Sequence, residues 1–360
     1  MSIPAFLLFL AGLGLLVGGA ELLVRGASRL AFAAGISPLV VGLTVVSYGT
    51  SAPEFAVAVQ SAWSSQAQLG LGNVIGSNIF NILVVLGLSA VITPLVVSHQ
   101  LIRLDIPLMV GFSILVLIMG LDGQIGRIDG ILLTGGAIVY TVWLLRSGKN
   151  EKSAGDATGR KGHLFPLSIL FVVLGFALLI LGSDWLVDGA SVLARSFGVS
   201  DLVIGLTIVA VGTSLPEVAT SLLASIRKER DIAVGNVVGS NIFNILFVLG
   251  LAAALSPSGI PVPPEAIEFD LPIMIAVAVI CLPVVLSKRR VARWEGILFL
   301  GYYLAFTVYL LLEALNHEFL EIFGTLMLCV VAPLTIVTLL LVNYRALKVR
   351  RSEATKEHPG

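Results

Sequence analysis

Long apolar runs, separated by short polar or charged clusters, repeat along the whole of this chain. About 20 apolar residues in helical form cross a hydrocarbon core of roughly 30 Å. The pattern predicts eleven such spans, at residues 4–33, 38–63, 69–93, 104–121, 127–146, 164–195, 201–226, 232–256, 270–287, 294–315 and 319–343. Spans 2 and 7 are unusual, because each carries Gly, Pro and a glutamate near its middle. A broken helix and a carboxylate are both costly in hydrocarbon, and both are tolerated where they line a polar cavity.

Composition agrees with this reading. Hydrophobic residues make up 57% of the chain and charged residues 12%, too few charges to cover a soluble protein of this size. The chain is therefore read as an all-α polytopic membrane protein. The N-terminus lacks the basic region and cleavage site of a removable signal, so the first apolar run counts as a span. Cys281 and Cys329 both fall in apolar spans and are expected to be buried, inert thiols.

Net charge is zero, but its distribution is informative. With loops assigned alternately to the two sides, one side collects Arg103, the 146–161 loop, Arg227, Lys228, Arg230, Lys288, Arg289, Arg290, Arg293 and the tail from Arg345. The other keeps Arg127 and Arg195 beside the acidic positions Glu265, Glu268, Glu318 and Glu321. The positive-inside rule makes the basic side cytoplasmic, which puts the N-terminus outside and the C-terminus in the cytoplasm. The chain has no targeting segment or large regulatory loop, which points to a prokaryotic plasma (inner) membrane.

An internal repeat organises the spans. GLTVVSYGTSAPE (Gly42–Glu54) returns as GLTIVAVGTSLPE (Gly205–Glu217), and GNVIGSNIFNIL (Gly72–Leu83) returns as GNVVGSNIFNIL (Gly235–Leu246), both 163 residues later. LVRGAS at Leu23 answers LVDGAS at Leu186, and Asp105-Ile106-Pro107 answers Asp270-Leu271-Pro272. Each unit holds five spans. Because five is odd, the second unit enters from the opposite face and the halves form an inverted repeat, the architecture of many secondary transporters. The expected parts are a first five-helix repeat (1–146), a cytoplasmic linker (147–163), a second, inverted five-helix repeat (164–315), an extra transmembrane helix (316–343) and a basic cytoplasmic tail (344–360).

The motifs place oxygen-bearing groups together at the membrane centre. Pro53 and Pro216 cannot donate to the carbonyls of Gly49 and Gly212, so the backbone is expected to open there. Thr50 and Glu54 share a helical face with Ser51 beside them, and Thr213, Ser214 and Glu217 repeat the set. Asn73, Ser77 and Asn81 form a stripe on span 3, matched by Asn236, Ser240 and Asn244 on span 8. Without His or Cys in the cluster, this is hard oxygen chemistry, suited to Ca2+, Na+ or Mg2+ and unsuited to zinc, copper or iron. Two carboxylates match one Ca2+ or two monovalent ions. Small and polar residues in membrane helices more often serve packing, and Asn78, Asn241, Gly42 and Gly205 are read that way. Glu21 with Asp184, and Asp105 with Asp270, are either helix caps, partners of Arg25 or Arg29, or parts of an access path. Asp129 and Glu295 look like interface anchors.

At these motifs the chain resembles the cation/calcium antiporter superfamily, in particular the compact prokaryotic Na+/Ca2+ exchangers. GTSAPE and GTSLPE, each followed by GSNIFN, look like that family's two alpha-repeat signatures. The likeness covers residues 1–315 in order and spacing. It implies an inverted 5+5 transmembrane-helix core of the Na+/Ca2+ exchanger type, with cation sites between spans 2, 3, 7 and 8. Glu54 and Glu217 would be the principal ligands, with oxygens from Thr50, Ser51, Ser77, Thr213, Ser214 and Ser240 and from the backbone of Ser47 and Ala210. Spans 1 and 6 would slide across this core as a gating pair. Asn244 departs from the Asp of some members, and Asn where K+-dependent members are acidic implies K+ independence. Ser47 stands where Ala is common, and the eleventh span is additional to the family's ten.

The expected function is secondary active Na+/Ca2+ antiport, with Ca2+ and Na+ as transported substrates, the lipid bilayer as surroundings, and no cofactor or nucleic acid involved. An H+-coupled antiporter of Ca2+ or another cation is the alternative, since a buried Glu can carry a proton. A channel fits inverted halves poorly. An enzyme is disfavoured, since no HExxH motif or nucleophile–base pair is present and His99, His163, His317 and His358 fall in loops or the tail.

Overall fold

Hydropathy and helix length agree closely in the computed structural model, which describes residues 3–63, 67–148, 161–196, 210–315, 317–335 and 337–339. Nine helices among the described residues are long and apolar enough to cross a membrane. We number the helices in chain order: α1 (Ile3–Ala34), α2 (Pro38–Thr50), α3 (Ala52–Trp63), α4 (Ala67–Ile92), α5 (Leu101–Gly120), α6 (Arg127–Ser147), α7 (Lys161–Ser196), α8 (Ala210–Gly212), α9 (Leu215–Ile226), α10 (Arg230–Leu255), α11 (Ala266–Val284), α12 (Arg293–Ala314) and α13 (Phe319–Leu339). The chain is an all-α membrane protein, and the two expected spans with a central Gly-Pro break are in pieces. Span 2 is α2 plus α3. Span 7 is α8 plus α9, and its residues 201–209, including Gly205, lie outside the described residues, as do 149–160 of the linker and the tail from 340.

The helices differ in depth. The apolar window of α10 is 83% buried and that of α4 72%, against 6% for α12 and 12% for α13. The centre of the protein therefore runs along α4 and α10, the two helices that carry the Asn/Ser stripes. Helices α1 and α7 lie antiparallel across this core in extended contact with each other. Glycines make their approach close: a Cβ on Gly19 would stand 2.8 Å from the Leu179 nitrogen, and one on Gly182 2.6 Å from that of Leu16. Gly12, Gly19 and Gly26 on α1, and Gly175, Gly182 and Gly189 on α7, recur every seventh residue and form one seam. Small residues at such an interface let helix backbones pack where lipid supplies no hydrophobic drive.

Two short bridges tie one half to the other. β1 (Leu95–Val96) pairs antiparallel with β4 (Arg290–Val291), and β2 (Gln124–Ile125) with β3 (Ile260–Pro261). Inside α4 and α10 the helix widens to a π turn at Asn81–Leu86 and at Asn244–Leu249, and α5 and α11 open on matching π turns at Leu101–Asp105 and Ala266–Asp270. π turns inside membrane helices commonly mark functional positions; an alternation of hydropathy does not signal them.

Several expectations are corrected. Asp129 and Glu295 cap helices: their carboxylates accept the backbone N–H of Gly126 (2.9 Å) and Ala292 (2.7 Å), as acidic groups in a first helical turn do. Cys281 is buried, but Cys329 is exposed on the outer face of α13, because that helix meets the core along only one side. α11 starts at Ala266 rather than 270. Of the alternatives for Glu21, pairing with Arg25 holds, at 2.5 Å, and Glu21 also pairs with Arg227 in the turn after α9. Its counterpart Asp184 is exposed. Asp105 is fully buried and accepts hydrogen bonds from Tyr140 (2.9 Å) and Gln100 (3.2 Å), whereas Asp270 is half-buried.

Candidate functional site

The break in span 2 sits at Ser51, with φ −81° and ψ 11°, and that in span 7 at Ser214, with φ −90° and ψ 6°. Both lie in the sparsely populated bridge region that functional residues often occupy. Proline two residues later starts a new helix, where its missing N–H costs nothing. Each break thus ends one half-helix and begins another at the same depth, and Glu54 and Glu217 lie in the first turns of α3 and α9.

Both carboxylates are 0% exposed, and their partners are crossed between the halves. Ser214 Oγ donates to Glu54 Oε1 at 2.9 Å, and Ser51 Oγ donates to Glu217 Oε1 at 3.0 Å. Ser77 on α4 reaches Glu54 Oε1 at 3.4 Å, and Ser240 on α10 reaches Glu217 Oε1 at 3.5 Å. Thr213 also faces Glu54, and Thr50 faces Glu217. The remaining oxygen of each carboxylate, Glu54 Oε2 and Glu217 Oε2, is buried without a hydrogen-bond partner. An ionised carboxylate left this way in low dielectric is strongly unfavourable. Among the described residues no Lys or Arg makes a salt bridge to either glutamate.

The remaining expected residues lie on the same broken helices and polar stripes. Asn81 is buried and both atoms of its amide lack partners, while Asn244 donates from Nδ2 to Asn78 Oδ1 at 3.3 Å and leaves Oδ1 free. The Ser47 carbonyl accepts the Ser51 N–H at 3.0 Å and the Thr50 hydroxyl at 3.4 Å. Ala210 opens the short helix α8. Asn78 and Asn241, read as packing residues, brace α4 against α10: Asn241 Nδ2 reaches the Asn78 carbonyl at 3.3 Å and the Met109 sulfur at 3.5 Å, and Asn78 Nδ2 reaches the sulfur of Met274 at 3.6 Å. An aromatic ladder backs the site, with Tyr48 stacked on Phe243 at 4.0 Å and Phe243 on Phe247 at 4.8 Å.

Two features escaped sequence reasoning. Thr50 Oγ1 donates to Asn236 at 3.1 Å and Thr213 Oγ1 to Asn73 at 3.4 Å, so the outer Asn of each stripe serves the opposite half. Helix α7 covers both breaks: the Phe176 ring fills the space beside Gly49, Val187 lies over Gly212, and Ser183 Oγ donates to the Gly212 carbonyl at 2.6 Å, the carbonyl that Pro216 leaves without a helical donor. Thr50, Asn236, Gly235 and Gly239 are buried, while Thr213, Asn73 and Gly76 are half-buried and Gly72 is exposed. Leu39, Gly42 and Leu43 pack on Gly235 and Gly239, and the residues at the matching positions of the second repeat, 202–206, lie outside the described residues.

The comparisons with known proteins agree with this geometry. The sequence model of the sodium/calcium exchanger protein family matches residues 4–146 and 167–312. The chain is 38% identical over 315 residues to the putative antiporter CaxA of Alkalimonas amylolytica, covering 84% of this chain and 99% of that one. It is 30% identical over 344 residues to the sodium/calcium exchanger MaX1 of Methanosarcina acetivorans, covering 85% of this chain and 98% of its relative. Among solved structures, the sodium-calcium exchanger NCX_Mj superimposes with a TM-score of 0.74 at 32% identity, over 84% of this chain and 98% of that chain. With its paired motifs, its broken helices and this overall likeness, the chain belongs to the sodium/calcium exchanger family of membrane antiporters.

Proposed function

We propose that this protein exchanges Na+ for Ca2+ by alternating access at one site built on Glu54 and Glu217. The observation that carries the reading is the pair of buried carboxylate oxygens, Glu54 Oε2 and Glu217 Oε2, left without partners at the junction of two broken helices. Serine hydroxyls hold the other oxygen of each carboxylate in place, and the vacant lone pairs of Oε2 are what a hard cation requires. Two such groups supply a formal charge of −2, which one Ca2+ or two Na+ neutralise. A site that is costly when empty and satisfied by either ion favours exchange over leak.

The hydroxyls of Thr50, Ser51, Ser77, Thr213, Ser214 and Ser240, the side chains of Asn81 and Asn244, and the carbonyls of Ser47 and Ala210 complete the ligand set. Asn at both stripe ends keeps the charge at −2 and fits K+ independence. With the basic loops in the cytoplasm and the N-terminus outside, Thr213, Asn73 and Gly72 lie on the external side and Thr50 and Asn236 on the internal side of a prokaryotic plasma membrane. Sliding of the α1–α7 pair across Gly49 and Gly212 would switch access from one side to the other.

Ca2+ uptake into vesicles tests the coupling ion. Vesicles loaded with Na+ and diluted into Na+-free medium are predicted to accumulate labelled Ca2+, and vesicles with a pH gradient alone are not. Uptake that follows the pH gradient and ignores Na+ would replace this reading with H+-coupled exchange, the use of a buried Glu as a proton carrier.

A further inference from the structure

Thr50 and Thr213 each stand between a carboxylate and an asparagine amide oxygen, and Thr50 also lies 3.4 Å from the Ser47 carbonyl. Thr50 faces the Glu217 carboxylate and also lies 3.1 Å from Asn236 Oδ1. Thr213 faces Glu54 and lies 3.4 Å from Asn73 Oδ1. A hydroxyl has one hydrogen and two lone pairs. Its oxygen serves a cation only when that hydrogen points elsewhere. From this geometry we infer that Asn236 and Asn73 are positioning residues: each takes the hydrogen of a threonine from the opposite half, turning the threonine's lone pairs toward the ion between the carboxylates. When the ion leaves, the same hydrogen swings to the nearby glutamate and offsets part of the cost of an empty site. The inference rests on the cation site proposed above and adds two residues to its working parts.

The two positions are not equivalent. Asn236 is 0% exposed and donates from Nδ2 to Ser221 Oγ at 2.9 Å, which fixes the amide with Oδ1 toward Thr50. Ala58 stands at the position of Ser221 in the first half, and the Nδ2 of Asn73 is buried with no partner. Asn73 is therefore free to turn, and its bond to Thr213 is longer. The Thr50 hydroxyl is a fixed ligand and the Thr213 hydroxyl an adjustable one.

A double-mutant cycle on Na+-driven Ca2+ uptake tests this in reconstituted full-length protein. Asn236→Leu is expected to raise half-saturating Ca2+ about fivefold, the scale of one hydrogen bond, with the maximal rate kept within about twofold. Thr50→Val is expected to do the same, and the double variant to be no worse than either single one. Asn236→Asp retains an acceptor oxygen and is expected to keep half-saturating Ca2+ at or below the native value, a check that stands even if the Leu variant fails to fold. Asn73→Leu is expected to cost less than Asn236→Leu.

Independent effects that multiply in the double variant would overturn the inference. So would a fall in maximal rate with unchanged half-saturation, or a rise for Asn236→Asp equal to that for Leu. An Asn73→Leu cost equal to or above that of Asn236→Leu would overturn the asymmetry. If the native protein takes up no Ca2+ under a Na+ gradient, the proposed function falls and the inference falls with it. If the native protein transports normally and the effects are independent, the inference alone falls.

Discussion

Ser214, from the second half of the chain, donates to Oε1 of Glu54 in the first at 2.9 Å, and Ser51 returns the same bond to Glu217 at 3.0 Å. Each carboxylate is therefore oriented by the other half's broken helix, and neither half holds a complete site alone. Ser214→Ala or Ser51→Ala removes one donor and lets the carboxylate turn. Each is expected to weaken Ca2+ binding about fivefold, the scale of one hydrogen bond to a buried charged group. Half-saturating Ca2+ in reconstituted vesicles is the measurement, and equal values in variant and native protein would separate these serines from the site.

The glycine seam between α1 and α7 makes a second prediction. A side chain at Gly182 would overlap the backbone of α1 at Gly12 and Leu16, and overpacking there forces the helices apart. Gly182→Val is expected to reduce Ca2+ uptake at least tenfold, on the scale of a few kcal/mol of overpacking. Gly14→Ala and Gly18→Ala, whose positions have nothing within 4 Å, should leave transport near native. Equal behaviour of all three variants would remove the seam from the mechanism.

The orientation proposed from the basic loops predicts sided access. A cysteine at Gly72, which is exposed and has nothing within 4 Å, is expected to react with a membrane-impermeant thiol reagent applied outside and to be protected from one applied inside. The experiment needs Cys281 and Cys329 replaced by Ser, the latter because it is exposed. Labelling from the cytoplasmic face alone would reverse the orientation proposed from the basic loops.

On the opposite side, Glu21 of α1 is paired with Arg227 through two hydrogen bonds, and Arg25 joins them. The contact links α1 to the end of α9. Both side chains are partly exposed, at 26% and 34%, so the pair is a modest one. Arg227→Gln is expected to change external labelling of the Gly72 cysteine by about twofold, as loss of a pair of this strength shifts the balance of two access states. Unchanged labelling would show that the pair does not bias the two states.

The spans and their inverted order were legible in the sequence because hydropathy and duplication each point the same way. Glu54 and Glu217 could be read from their place, since a carboxylate behind a proline in a membrane span has few structural uses, and the four serines that bond them stood out only through their duplication in both halves. The π turns at Asn81 and Asn244 could not, because one extra residue per turn leaves no mark in composition. Nor could the crossed pairing, which follows from how the halves meet in space. Cys329 was misread because an apolar span in lipid exposes its outer face, unlike an apolar segment in a soluble core. Ser221 against Ala58 was in plain view, yet it means something only once Asn236 is seen to lean on Ser221.

The most direct test of the central claim is Ca2+ uptake by Na+-loaded vesicles carrying native protein, Glu54→Gln or Glu217→Gln at equal reconstituted amounts. Removing one charge from a site of −2 is predicted to cut uptake by at least about a hundredfold in either variant, on the scale of breaking a buried charge interaction, while Asp129→Asn, at a helix cap far from the site, keeps it. Near-native uptake in either Gln variant would contradict a cation site built on Glu54 and Glu217.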